Sequence, residues 1–543
     1  MIHEDDRRIG GRSALVPRLT HTLAGNSSFY AAVPDPYRDY YQRFVRNYFH
    51  WYDGYVPIFH NHHSGIFSTR IAYTILHKLA SQITGGKVLF DDEGKEHKIV
   101  RNYMGEECNS LEFAEKWSKN VSLDSKVTQL VEWSLAGGDA LLKLDQRGGE
   151  LQVNILRKDN YFVSTNFNGD IEKASILLYN YTEMAKQGEQ GSRYFYLLEE
   201  RAFKDGVPQE RLTIKEGTGD RITYKNVDFH SADVEFTSLP RNIRERLTKE
   251  FPNVTFGEWY KLAFSDLGVY LAKASEKISF APSLPGGESL ISNMIAELMS
   301  YDFYFSSFNT DMYMGRGKVL MPRHMQSPNH REGYGTGDSF QGLDEFLLQR
   351  IDYVDPDNQK PLPLQFDLRS MEWKEVRNTL LQLMATKIGI SERTIATYLV
   401  PASEKPTAYE ISSDENSTAN FVEGKRPYIT RILDKMFREV ARYYGFKDDF
   451  VLTKFSRIGL SNFNNVVNQI TILRQNGLID EMTALEKLYP DLTQKQLMMM
   501  QQRLKDEREQ KELEAKPLKT DVIEAHEDMV RSGINTTPKP TDG

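Results

Sequence analysis

The chain has one cysteine, Cys108, in 543 residues. No internal disulfide can form, and such usage fits synthesis in a reducing compartment. There is no run of about 18 apolar residues, so no helix is expected to span a membrane. The opening stretch MIHEDDRRIGG lacks the apolar segment of a secretory leader. Positive charge is in short supply too. Lys and Arg total 68 against 76 Asp and Glu, for a formal net charge of -8. That balance argues against a protein that grips nucleic acid, because grip comes from cations neutralising phosphates.

The motifs of common chemistries are missing as well. There is no G-x-x-x-x-G-K-[ST], no G-x-S-x-G, no H-E-x-x-H and no C-x-x-C, so no phosphate-loop ATPase, serine hydrolase, zinc protease or dithiol centre is indicated. Thr84-Gly85-Gly86-Lys87 lacks the upstream glycine and closes a helix instead of opening one. It is read as a glycine C-cap leading into a strand. The glycine cluster Gly333–Gly337 lacks the strand-then-helix context of a dinucleotide site. His60, His62 and His63 in HNHH match no standard zinc spacing. No enzyme activity, metal or cofactor is expected.

What is present is ample material for a core. Hydrophobic residues make up 40% of the chain, and the length suits roughly two to four domains. The 28 Tyr and 29 Phe fit large cores or subunit interfaces. Aromatics at helical spacing (Tyr37, Tyr40, Tyr41, Phe44, Tyr48) predict a helix over 34–51. Ile71, Ile75, Leu79 and Ile83 predict another over 68–83, and a third is expected over 111–135. The period then changes to two, with hairpin signals at Arg147-Gly148-Gly149 and Asn168-Gly169-Asp170. At Pro285-Gly286-Gly287 the pattern turns helical again. A helix about 40 Å long is expected over 288–314 and a second amphipathic helix over 369–388, around a Gly-rich, polar excursion.

The stretch TYLVPASEKPTAYEISSDENSTANF, Thr397–Phe421, is almost wholly polar. Thr407-Ala408-Tyr409-Glu410 is a capping box that starts a helix at Thr407. Gly424 and Pro427 are expected to bend or break that helix. Three helices follow, with turns at Gly477 and Pro490.

Three ordered segments resemble the portal proteins of tailed bacteriophages, most closely those of phages of Gram-positive hosts. They are LPGGESLISNMIAELMSYDFYFSSFNTDMYMGRGKVLMPRHM with its internal Asp302, LLQLMATKIGIS, and KPTAYEISSDENSTANFVEGKRPYITRILDKM with its T-A-x-E. FSTRIAYTILHKLASQITGGKVLF and NGLIDEMTALEKLYP add support, and together the match spans roughly 40–510.

The resemblance implies an α+β, mainly helical portal fold assembled as a ring. Its parts would be an N-terminal arm (1–33), a wing (34–287), stem helix 1 (288–314), a clip (315–366), stem helix 2 (367–390), a tunnel-loop region (391–406), a channel helix and strand (407–460), crown helices (461–512) and a disordered tail (513–543). It implies a homo-oligomer of 12 subunits at one capsid vertex of the virion, put together in the host cytoplasm, through which double-stranded DNA is packaged and ejected. The partners implied are terminase, a tail adaptor, and the major capsid and scaffolding proteins, with no membrane.

The tunnel loop would be Leu399, Val400, Pro401, Ala402, Ser403, Glu404, Lys405 and Pro406, with Glu410 and Asp414 on the channel wall. A hydrated wall of acids and hydroxyls would let DNA slide; a merely solvated helix face is the competing reading. Adaptor contacts would fall on Ser327, His330, Arg331, Tyr334, Asp338 and Phe340. The alternatives are a capsid or scaffolding protein, or a non-ATPase component of the packaging machinery.

Overall fold

A computed structural model describes residues 37, 40–56, 66–91, 100–147, 149–166, 169–183, 192–219, 228–251, 254–279, 284–314, 318–320, 362–364, 370–396, 408–446, 451–455, 463–489 and 497–509. A π-helical turn at Tyr41–Val45 runs into helix α1 (Arg46–Asp53). Helix α2 (Ile71–Thr84) buries Ile71, Ile75, Leu79 and Ile83. It stops at Gly85 and Gly86, whose φ angles of 61° and 75° only glycine adopts without strain. Strands β1 (Val88–Asp91), β2 (Arg101–Tyr103) and β3 (Glu106–Cys108) follow.

The helix expected over 111–135 is two helices, α3 (Ser110–Asn120) and α4 (Leu123–Gly137), parted at Ser122 with φ 53°. Val121 and Leu123 are both buried.

The sheet region runs β4 (Asp139–Arg147), β5 (Glu150–Arg157), β6 (Tyr161–Thr165), β7 (Ile171–Glu183), β8 (Ser192–Lys204), β9 (Val207–Gly219) and β10 (Asp228–Asp233), then helix α5 (Arg241–Glu250), β11 (Trp259–Lys261) and β12 (Val269–Lys273). The β4–β5 hairpin closes with Arg147 opposite Glu150. Strands pair as β12-β4-β5 and as β10-β9-β8-β7-β6, with β11 beside β9. Leu141, Tyr161, Val163, Ala174, Ile176 and Val269 form one core shared by the two sheets. Phe195, Leu197, Ile214, Ile243 and Leu247 pack α5 onto the larger sheet.

Helix α6 (Ile295–Met314) is shorter than expected. A 3-10 turn at Ile291–Asn293 takes up the start, leaving about 30 Å of rod. Short strands β13 (Lys318–Leu320) and β14 (Leu362–Leu364) pair with each other. Helix α7 (Ser370–Ile388) returns antiparallel to α6. Trp373 packs on Tyr304 and Phe308 at one end, with ring centroids 4.5 and 5.5 Å apart, and Lys387 meets Glu297 at 2.7 Å at the other.

Helix α8 (Glu392–Ala396) is short; α9 (Ala408–Tyr443) is long and continuous. Gly424 and Pro427 do not break α9. Proline forfeits one backbone hydrogen bond, while Val422, Ile429, Leu433, Met436 and Phe437 bury a continuous stripe around it. Strand β15 (Leu452–Phe455) and helices α10 (Phe463–Gln475), α11 (Glu481–Leu488) and α12 (497–509) complete the described chain.

Two compact units result. One comprises described residues up to Ile83 and from Val121 to Glu439; the other comprises Thr84–Asn120 and residues from Val440 on. In the second, β1 pairs antiparallel with β15 and Phe113 stacks on Phe446, centroids 4.9 Å apart. Asp480 accepts from the Thr483 N–H to cap α11, and the turn before it uses Gly477 at φ 69°.

Candidate functional site

Of the polar stretch singled out in the sequence, 397–407 fall between α8 and α9 in the chain and 408–421 open α9. Leu399, Val400, Pro401, Ala402, Ser403, Glu404, Lys405 and Pro406 fall outside the described residues, as do Ser327, His330, Arg331, Tyr334, Asp338 and Phe340, and His60, His62 and His63. Glu410 and Asp414 stand on the described backbone of α9, one turn apart and therefore on one face. The helix begins at Ala408, directly after the Thr407 of the proposed capping box.

The described residues on either side of 397–407 are tied together. The Ser391 N–H donates to Thr418 Oγ1 at 3.1 Å, and the Thr394 and Thr418 hydroxyls lie 2.8 Å apart. Thr418 is 2% exposed and Ser391 is 6% exposed. The polar run at the start of α9 is therefore not polar because it is open throughout: Thr418 turns inward and satisfies a buried N–H. A hydroxyl can be buried at little cost when it is bonded.

Helix α2 lies under both sides. Ile71, Ile75 and Leu79 line a small apolar cavity with Ile390 and Ile395, at the mouth of which the Lys78 ammonium donates to the Thr394 carbonyl. Partial burial lowers the Lys78 pKa. Arg426 of α9, itself buried, donates from Nε to the Ile83 carbonyl at 2.9 Å. A cation there suits the negative end of the α2 dipole.

The start of α2 is held from α6. Asp302 Oδ1 accepts from the Thr69 N–H at 2.9 Å and from its hydroxyl at 2.6 Å, and Ser306 Oγ accepts from the Phe67 N–H at 3.1 Å. Burial raises the Asp302 carboxyl pKa, against the lowering effect of these donors. Asp302 stands out in the sequence as an acid inside an apolar helix. Lys78, Ser391, Thr394 and Arg426 carried no such signal, because the contacts that join these elements run to backbone groups or hydroxyls distant in the chain.

These contacts position backbone; they assemble no nucleophile, base or metal-ligand set. Among the described residues no group of three or more His, Cys, Asp or Glu could hold a metal ion, and no described helix is long and apolar enough to cross a membrane. A family model described as Phage portal protein, SPP1 Gp6-like matches residues 61–513. No curated protein matches the chain.

Proposed function

Because the chain belongs to the SPP1 Gp6-like phage portal protein family, we propose that it forms the ring-shaped channel at one capsid vertex through which double-stranded DNA is packaged and later ejected. The family is structural and non-enzymatic, and membership implies a ring oligomer at a virion vertex with capsid and terminase partners. In our reading the ring has 12 subunits and is built in the host cytoplasm beside scaffolding protein. Terminase docks during packaging and a tail adaptor afterwards. Kinship with portals of phages of Gram-positive hosts belongs to this proposal too.

The observation that carries it is the antiparallel pair α6 and α7, locked by Trp373 on Tyr304 and by Lys387 on Glu297, on either side of the excursion through β13 and β14. We assign the pair to the stem, 315–366 to the clip, 34–287 to the wing and 461–512 to the crown. Ser327, His330, Arg331, Tyr334, Asp338 and Phe340 would meet the adaptor, and Leu399–Pro406, with Glu410 and Asp414, would face DNA. Val376 and Leu383 on α7 and Phe303 and Met312 on α6 are exposed apolar side chains on the stem pair, as expected where a neighbouring subunit covers them.

Native mass spectrometry and negative-stain images of the purified full chain test the reading. Closed rings with a central hole are expected. Monomers and dimers alone at micromolar concentration would overturn it.

A further inference from the structure

We propose that helix α2 is the common seat of the two ends between which 397–407 is strung, with Lys78 and Thr418 as its positioning residues. The inference rests on the channel reading for its function but not for its geometry.

The chain leaves α8 just after Thr394 and re-enters at Ala408. From Ala408 to Thr418, α9 advances about 15 Å at 1.5 Å per residue. The beginning of α9 therefore stands about three turns beyond the point where Thr418 grips Ser391 and Thr394. Among the described residues, the chain on either side of 397–407 meets at that clamp, and the clamp stands on α2 through Lys78 and Arg426.

Helix α2 is itself fixed at both ends and by elements of different parts of the unit. Asp302 and Ser306 of α6 take the N–H groups of Thr69 and Phe67 before its first turn. Arg426 of α9 takes the carbonyl of Ile83 in its last turn. A rod pinned at both ends, with Ile71, Ile75 and Leu79 facing buried Ile390 and Ile395 around one small apolar cavity, gives α8 little room to slide. The Thr418 hydroxyl accepts from the buried Ser391 N–H, and the Lys78 ammonium donates to the carbonyl of Thr394 near the end of α8. Neither is required to make α2 or α9 a helix, so both act by placing α8.

The test uses the full chain assembled as it is purified. Thr418→Val keeps the side-chain shape and removes the hydroxyl, Thr418→Ser restores it, and Lys78→Met keeps the aliphatic stem and removes the donor. Hydrogen exchange is read on peptides covering 388–396, with 139–147 in the sheet as the internal reference. Thr418→Val and Lys78→Met are each expected to speed exchange over 388–396 roughly fivefold, leave 139–147 unchanged, and in the Thr418 case be rescued by Ser.

Unchanged exchange over 388–396 in both variants would overturn the seat, as would failure of Ser to rescue. Should Thr418→Val not assemble, Lys78→Met carries the same outcomes alone. Nuclease-protected DNA per particle separates this proposal from the channel reading. Faster, rescued exchange with normal DNA retention keeps the seat and rejects 397–407 as a channel element.

Discussion

Lys158 and Asp139 form an ion pair of 2.6 Å with their side chains only 1% and 2% exposed. Asp139 is fully engaged: Oδ1 accepts from the Tyr161 hydroxyl at 2.6 Å, and Oδ2 also accepts from the Gly287 N–H at 3.3 Å. The pair thus grips the Pro-Gly-Gly turn from which the chain proceeds toward α6. The turn fits because it lacks side chains. Gly286 has φ 132°, and a Cβ there would lie 2.1 Å from Asp139 Oδ2; one on Gly138 would lie 2.2 Å from the Gly287 carbonyl oxygen.

Two substitutions should expose this dependence. Gly286→Ala collides with the carboxylate and strains the backbone, at a cost of about 3 kcal/mol or more. Asp139→Asn leaves a buried ammonium without its counter-charge, a loss of about 3–5 kcal/mol. Calorimetric melting of each variant should show a clearly lower transition temperature. A wild-type melt for Asp139→Asn would mean that Lys158 finds another partner.

A second buried cluster sets a pH dependence. Lys143 lies 2.9 Å from Asp145 and also pairs with Glu199, while Arg201 reaches Glu199 at 2.6 Å and Asp145 at 3.0 Å. Burial alone would raise the Asp145 carboxyl, but the Lys143 ammonium and Arg201 guanidinium hold it below its ordinary value. A carboxyl depressed in the folded state adds stability that is present above its unfolded pKa and is lost as pH falls through the folded one. Asp145→Asn should therefore cost stability near neutral pH. Its deficit against wild type should shrink as pH drops below about 4. Denaturant midpoints of the two proteins across that range provide the check; a constant gap would assign the Asn penalty to packing alone.

Local chemistry was readable in the sequence, and long-range placement was not. The helix stop at Gly85-Gly86, the hairpin that sets Arg147 opposite Glu150 and the return helix over 370–388 all follow from glycine conformation or from period. The break at Ser122 was missed because a left-handed serine has no compositional mark. The pairing of β1 with β15 was missed because strand partners far apart in the chain share no pattern. At the candidate site the capping-box position was legible, since α9 starts right after Thr407. The inward turn of Thr418 was not, because hydroxyls read as polar whether they face water or a buried N–H.

Removing Ala402–Lys405 probes the channel assignment itself. The clamp of Ser391, Thr394 and Thr418 lies outside the deletion, so folding and ring mass should match wild type. Packaged DNA, or its retention, should fall, as measured by nuclease-protected DNA per particle. Particles that package and hold DNA normally would return the polar start of α9 to an ordinary solvated surface.

Helix α9 offers a gain of stability at the two places where its sequence argues against a helix. Gly424 is exposed, and an added Cβ would meet nothing within 4 Å. Gly424→Ala should therefore stabilise by about 0.5–1 kcal/mol, chiefly by narrowing the freedom of the unfolded chain. Pro427 is also exposed and sits inside the helix, where its ring nitrogen leaves the Glu423 carbonyl without a backbone donor. Pro427→Ala restores that donor and removes the ring, so it should raise the melting temperature further. The neighbouring Arg426 sets a limit on this argument, because its Nε must still reach the Ile83 carbonyl. If Pro427→Ala instead lowers the melting temperature while Gly424→Ala raises it, the proline shapes the local backbone that aims Arg426 at α2. Exchange at the last turn of α2 should then accelerate in the same variant.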